Sequence, residues 1–390
     1  MIEAADLVIV GGGCVGCSTA YHAAKQDRSL KIILIERQHI AWGTTGRSTA
    51  IVRQHYSNPE TARMALESLK MFENFRKAVG GDAGFTRTGF TLAVGSKDEE
   101  ALRKNVNMQR SLGIETSVLE PSELEKLQPG CNVEGLTAAA YEPRSGYADP
   151  VTTTQSFANA AGKLGVKILE QTKVSEILES AGKVTGVRTE TGEITAGRVV
   201  NATNVWTNQI IPRKHSKLPI RALREQSCIF IKPPEFTTKL TVWGDFPSEF
   251  YFCPKGPDRL LVGSLESNLP EVADPDNCEG VDYETVTIYS QKLVNRLPAM
   301  ARGRWERGWS GVYDVTPDWH PILDESSEVE GLYIAAGFSG HGFKLSPAVG
   351  KRMAQFALSG KKPADLTPFS ASRFSEGKTL TGHYESNIIA

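Results

Sequence analysis

The stretch "LVIVGGGCVGCSTAYHAAKQ", residues 7–26, carries two overlapping chemical signatures. Gly11, Gly13 and Gly16 spell G-x-G-x-x-G, and Cys14 and Cys17 spell C-x-x-C. The first is a turn on which a dinucleotide pyrophosphate can rest; the second serves redox disulfides and metal sites. A pyrophosphate needs free N–H groups at a helix N-terminus, with no side chains in the way. Gly11 would allow the tight turn, Gly13 the close approach, and Gly16 the packing of helix on strand. The context favours this reading. "DLVIV" (6–10) reads as a buried strand, residues 18–25 as a helix with small faces, and "KIILIE" (31–36) as a second apolar strand. Glu36 closes that strand 20 residues after Gly16, where an acid would hold ribose hydroxyls. The two cysteines then become passengers of the first helical turn. A helix start can lower a thiol pKa. Alkylating reagents are expected to reach them only once the nucleotide is gone.

Other reactive groupings are sparse. The seven histidines, at 22, 39, 55, 215, 320, 341 and 383, show neither H-x-x-x-H nor H-E-x-x-H, so no metal is expected. No nucleophile elbow with a following acid and histidine is present. Net charge is −1, which offers no basic field for nucleic acid. The longest apolar runs, such as "GLYIAA" (331–336), fall far short of a membrane span, which needs about 20 residues. Six irregularly spaced cysteines do not make a disulfide framework, and a reducing cytoplasm is the expected compartment. The start "MIEAADLVIV" lacks the pattern of a secretory signal.

The elements that must position these residues form an α/β plan. "NPETARMALESLKMFENFRKAV" (58–79) reads as a helix capped by Asn58, "FTLAV" (90–94) as a strand, and residues 97–113 and 120–130 as helices. A second α/β stretch follows, with a helix over 149–165, a strand "VKILE", a hairpin over 184–196 and a strand "RVVNAT". Residues 216–300 read as short alternating strands of an antiparallel sheet. The chain then returns to strand, Gly-rich turn and helix in "GLYIAAGFSGHGFKLSPAVGKRMAQFALSG" (331–360). The expected class is α/β: a Rossmann-like dinucleotide unit from 1–85, 146–215 and 305–366, with an antiparallel-sheet substrate unit from 86–145 and 216–304 inserted. Residues 367–390 read as a polar, loosely attached tail.

Three blocks carry a resemblance over roughly residues 5–365: "LVIVGGGCVGCSTAYHAA", "VVNATNVW", and "TPDWHPIL" with "GLYIAAGFSGHGFKLSPAVG". They resemble the amino-acid oxidase family of FAD enzymes, most closely its sarcosine oxidase and dehydrogenase branch. The Gly/Ser/Thr-rich stretch "RQHIAWGTTGRSTAIVR" (37–53) also points to FAD over NAD. The resemblance implies cofactor contacts from Gly11, Gly13, Val15, Gly16, Glu36, Arg37, Gly43, Thr44, Thr45, Ser48, Thr49, Val174, Ala202, Thr203, Trp206, Gly311, Gly337, Gly340, His341, Gly342, Phe343 and Lys344. It gives Lys344, in "AAGFSGHGFK", and Arg53, in "STAIVRQHY", the substrate carboxylate. Arginine suits that task because its planar fork holds a carboxylate bidentately. Tyr251 and Tyr313 would line the pocket, and His341 would position the ring or the amine. The plain alternatives are a solvated lysine, a surface ion pair and core aromatics.

The departures from the branch also carry expectations. Gly311 stands where a tethering cysteine stands in some relatives, and Arg47 where others have a histidine, which implies non-covalent FAD. Ala148 stands at the place of an FMN-holding histidine, and Ala50 at that of another arginine. Leu261 matches the lysine that aids oxygen activation, which leans towards a dehydrogenase. The expected reaction is oxidation of the C–N bond of a small amino acid, secondary or N-methylated. Proline, glycine or a D-amino acid is the alternative substrate, and membership of a multi-protein electron-transfer assembly the alternative role. Oxygen, a dye, a quinone or a protein partner would take the electrons.

Overall fold

A computed structural model describes residues 3–278 and 280–384 of the chain. Two large sheets share the molecule, and the expected mixed α/β class is what forms. The first sheet has six strands in the order Lys167–Leu169, Ile32–Ile35, Leu7–Val10, Val199–Asn201, Leu332–Ala336 and Ile322–Glu325. The first five run parallel and the last antiparallel. Strands Leu7–Val10 and Ile32–Ile35 are apolar throughout because both of their faces are covered. Leu7, Ile9, Ile32 and Leu34 pack with the helices Cys14–Gln26, Pro150–Lys163 and Gly342–Ser359. Val8, Val10, Ile33 and Ile35 alternate to the other face, against Val174, Ile177, Val187 and Ile194. Those belong to a small sheet that contains the expected hairpin, Lys183–Thr189 with Gly192–Thr195.

The second sheet has eight strands, in the order Arg304–Val315, Arg221–Ile231, Arg259–Ser264, Phe250–Lys255, Val242–Asp245, Phe90–Val94, Ala138–Glu142 and Ser117–Leu119. Its neighbours pair antiparallel except Val242–Asp245 with Phe90–Val94. The proposed division of the chain assigns 305–366 to the dinucleotide unit, yet Arg304–Val315 pairs along its length with Arg221–Ile231. That strand therefore lies in the large sheet, and its C-terminal end hands the chain back to the first.

Three further expectations change. The helix begins at Pro59, with Asn58 accepting from the N–H groups of Glu60 and Thr61, but it stops at Glu73 and a short turn Phe75–Ala78 follows. The stretch 216–300 is not all strand: Tyr283–Arg296 is a helix that buries Val286, Tyr289 and Leu293 against the back of the large sheet. Its β-branched "ETVTIY" masks the i, i+3, i+7 spacing. The described part of the tail is not loose. Arg373 donates two hydrogen bonds to Asp318, of 2.7 and 2.9 Å, and both side chains are buried. Tyr384 is buried too, with its hydroxyl 2.7 Å from His55 Nε2. Composition alone hid this, because the tail is tied by two or three anchors and has no apolar run.

Candidate active site

The glycine turn is built by main-chain crowding. Gly11 has φ +113°, and a Cβ there would stand 2.4 Å from the Ala202 carbonyl oxygen. A Cβ on Gly16 would stand 1.9 Å from the Gly11 carbonyl oxygen. Only glycine lets the helix and the turn approach so closely. Gly13 caps Cys14–Gln26 without a side-chain hydrogen bond, so the helix start is left open towards the cleft beside it. Thr45 Oγ1 accepts from the Cys14 N–H at 3.2 Å and fixes the next loop against the turn. Glu36 accepts from the N–H groups of Gly12 and Gln38, at 2.7 and 2.9 Å. Its spare lone pairs remain available to the cleft it lines.

The cleft is open to solvent along part of its length. From one end to the other its walls carry Gly11, Gly13, Val15, Glu36, Arg37, Gly43, Thr44, Thr45, Ser48, Thr49, Val174, Ala202, Thr203, Trp206, Gly311, Gly340, Gly342 and Phe343. Arg37 lies 4.0 Å from the Trp206 ring centre and also pairs with Asp276. Four expected contacts are not on these walls: His341 and Lys344, which line a neighbouring cavity, and Gly16 and Gly337. Gly16 is spent on the helix crossing. Gly337, at φ +72°, faces Thr316, and its N–H donates to Asp314 Oδ2 at 2.6 Å. Gly337 thus shapes the turn and Asp314 holds it. Burial pushes the Asp314 carboxyl up to about 6.

A second, smaller cavity shares Thr49, Tyr313 and Gly340 with the cleft. It brings together Arg53, Tyr251, Tyr313, His341 and Lys344, five residues from four separated stretches of sequence. His341 and Lys344 line this cavity and are not on the cleft walls. Arg53 is buried, donates to the His55 carbonyl, lies 3.4 Å from His341 Nδ1 and packs 4.4 Å from the Tyr56 ring centre. Lys344 is buried and, among the described residues, donates only to the Gly340 carbonyl, at 3.4 Å. Burial, and then the neighbouring Arg53, holds the Lys344 ammonium well below its usual pKa. Burial, with Lys344 and Arg53 behind it, likewise keeps His341 neutral. Among the described residues neither Arg53 nor Lys344 has a carboxylate partner. A buried arginine and a buried lysine beside one cavity, with no ion-pair partner among the described residues, are prepared for an anion. Tyr313 lies so close to Gly340 that a Cβ there would come within 2.9 Å of its ring. That contact closes the partition between the two spaces.

The sequence pattern of the family described as FAD dependent oxidoreductase matches residues 6–356. The chain belongs to that family. This FAD-dependent oxidoreductase is 28% identical to FAD-dependent oxidoreductase domain-containing protein 1 of Bos taurus, over 98% of the chain and 87% of that protein. It is 27% identical to the mitochondrial sarcosine dehydrogenase of Homo sapiens, over 97% of the chain but 42% of the relative. Among solved structures, L-proline dehydrogenase from P. horikoshii superposes with a TM-score of 0.88 at 29% identity, covering 97% of the chain and all of the other.

The residues present fit FAD. The bare helix start suits the pyrophosphate, and Glu36 suits the ribose. Gly311 and Gly340 bring bare backbone to the cleft wall, Gly340 with the Tyr313 ring packed where its Cβ would stand. The oxidoreductase also has site residues that motif reading passes over. Glu225 and Ser227 line the cleft from the strand Arg221–Ile231. The signal for them was alternation: Leu223 and Ile229 face the apolar cluster, so Glu225 and Ser227 between them must face it too. Phe90 and Leu265 also line the smaller cavity. No helix among the described residues is long and apolar enough to cross a membrane.

Proposed function

We propose that the enzyme oxidises the C–N bond of a small secondary or N-methyl amino acid, of the kind represented by sarcosine or proline. The observation that carries this is the pair Arg53 and Lys344, buried at one small cavity with no carboxylate of the protein's own among the described residues. A substrate carboxylate would supply the missing charge, and its arrival would restore the proton to Lys344. Neutral His341 and the Tyr251 and Tyr313 rings would then wall the amine, leaving it unprotonated and close to the partition. When bound, FAD supplies the acceptor for the hydride from the carbon beside nitrogen, and the imine left behind hydrolyses in water. Gly11, Gly13, Glu36, Thr45, Ala202, Gly340 and Phe343 would hold it. The attachment is non-covalent on this reading, since Gly311 has no side chain to offer and Arg47 is no nucleophile. Leu261 is buried in an apolar cluster and brings no cation, which favours a dye, quinone or protein acceptor over oxygen. Six free thiols suit a reducing compartment such as the cytoplasm.

The test is anaerobic bleaching of the flavin by a panel of primary, secondary and N-methyl amino acids, followed by reoxidation with air or dye. Bleaching by a secondary amino acid and not by the amine lacking its carboxylate is expected. Arg53→Met should raise KM roughly 10- to 100-fold, the loss of a charge-assisted hydrogen-bonded pair worth about 1.5–3 kcal/mol, with flavin content unchanged. A flavin that no amino acid bleaches would defeat the proposal.

A further inference from the structure

Glu225 is a buried carboxyl that neither the glycine turn nor the paired cations require. It points from the strand Arg221–Ile231 into the cleft, at the end where its strand partner Gly311 also lines the wall. One oxygen accepts the Ser264 N–H at 3.0 Å; the other is buried with no hydrogen-bond partner. Ser264 lines the smaller cavity, so the carboxyl stands at the partition between the two spaces.

The groups facing it come from every element packed around it. They are Glu266 just beyond Ser264, Tyr251 on the next strand but one, Tyr313 on Arg304–Val315 and, from behind the sheet, Tyr289 on the helix Tyr283–Arg296; Arg47 packs over Gly311, the strand partner of Glu225. No cation among the described residues pairs with it: the adjacent Arg224 is taken by Asp282, and Lys292 by Glu266. A lone buried carboxylate is costly, and the chemistry that removes the cost is to keep the proton. Burial, with Glu266 adding to it, pushes the group up to about 8. A protonated carboxyl also turns an acceptor into a donor, which an orphaned oxygen at a cleft wall can use.

We propose that Glu225 holds a proton against the redox group bound in the larger cleft, donating from its unpartnered oxygen, so that loss of this proton opposes negative charge on that group. The reduced cofactor is then easier to form while Glu225 is neutral and harder once it ionises. Reduction also raises the carboxyl's own affinity for its proton, so between its oxidised-state pKa and its higher reduced-state pKa reduction takes up as much as one extra proton per electron pair. This rests on the cleft holding FAD and not on the identity of the amine.

The experiment is spectroelectrochemical titration of the purified holoenzyme between about pH 6 and pH 10, with no amine present. Wild type is expected to show a steepening of midpoint potential with pH on the alkaline side. Glu225→Gln, which keeps a donor but cannot ionise, should lose that steepening and keep the potential of the wild type at low pH. A reduced-minus-oxidised infrared spectrum of wild type should contain a protonated carboxyl band that Glu225→Gln lacks. Should that variant fail to fold, the wild-type infrared band decides alone, and its absence overturns the proposal. Identical potential–pH curves in the two proteins would also overturn it. A purified chain that carries and binds no flavin would instead overturn the cofactor assignment, a different and visible failure.

Discussion

Around the helix Cys14–Gln26 the cofactor cleft is largely main chain: Gly11 against the Ala202 carbonyl, Gly16 against the Gly11 carbonyl, and an open helix start at Gly13. The smaller cavity is the reverse. Arg53, Phe90, Tyr251, Tyr313, His341 and Lys344 wall it with side chains carried by both sheets and the loops between them. A backbone site tolerates few changes of shape, because its contacts are fixed by φ, ψ and covalent geometry. A side-chain site can change its chemistry by substitution while the scaffold stays. One sheet can therefore keep a cofactor in place while the other varies what is oxidised.

The same contrast explains what could be read in the sequence. The cleft's principal determinants lie within one 30-residue unit, from the strand at Leu7 to Glu36, and a local motif suffices to find them. Arg53 and Lys344 are 291 positions apart in number, and only folding brings them to one cavity. They were nameable through the resemblance of their local blocks, not through spacing. Glu225 belongs to no such block, and "REQSC" becomes informative only when its strand has neighbours that bury one face. The helix Tyr283–Arg296 and the anchored tail were missed for a related reason: their stability comes from long-range packing, which outweighs local propensity.

The largest effect is expected where the backbone is most crowded. Gly16→Ala places a methyl 1.9 Å from a carbonyl oxygen that cannot move without moving the turn. Overpacking of this kind costs about 3 kcal/mol. The expected protein unfolds at lower urea and purifies without flavin, whereas Arg53→Met should keep its flavin. A Gly16→Ala protein with a full complement of flavin would break the distinction between the two sites.

Smaller in its effect on flavin, though not on stability, is the ion pair that ties the tail to the loop after the strand Arg304–Val315. Arg373→Met leaves Asp318 buried without its cation, and breaking such a pair costs about 3–5 kcal/mol. Burial alone would raise the Asp318 pKa, but the Arg373 hydrogen bonds outweigh it and hold the group below its usual range. A depressed carboxyl stabilises the fold above its unfolded pKa, and that stabilisation is lost as pH falls through the folded value. Wild type and Arg373→Met should therefore differ at pH 7 in chemical denaturation and converge in acid. A constant gap from neutral pH down to the acid limit would mean that the pair is not the source. Because Tyr384 joins the apolar cluster of Phe90 and Tyr251, the variant should also weaken substrate binding more than flavin binding.

The smallest effect returns to Cys14 and Cys17, the side chains in a site made of backbone. Both are free and buried, and Cys17 Sγ lies 3.4 Å from the Gly12 carbonyl. Burial pushes both thiols up, Cys17 well above its usual range, with the nearby Cys14 and then Glu36 adding to it. The open helix start does not win against that desolvation, so neither thiolate is activated. Their accessibility nonetheless differs. Cys14 lines the cleft and Cys17 does not. In folded protein, a maleimide should reach Cys14 slowly once the cofactor is removed, and Cys17 only on unfolding, as read by mass spectrometry of labelled peptides. Cys17→Ala should cost about 1 kcal/mol or less, since a weak sulfur donor is all it removes. Rapid labelling of Cys17 in the holoenzyme would show that the C-x-x-C spacing, and not the glycines, governs this turn.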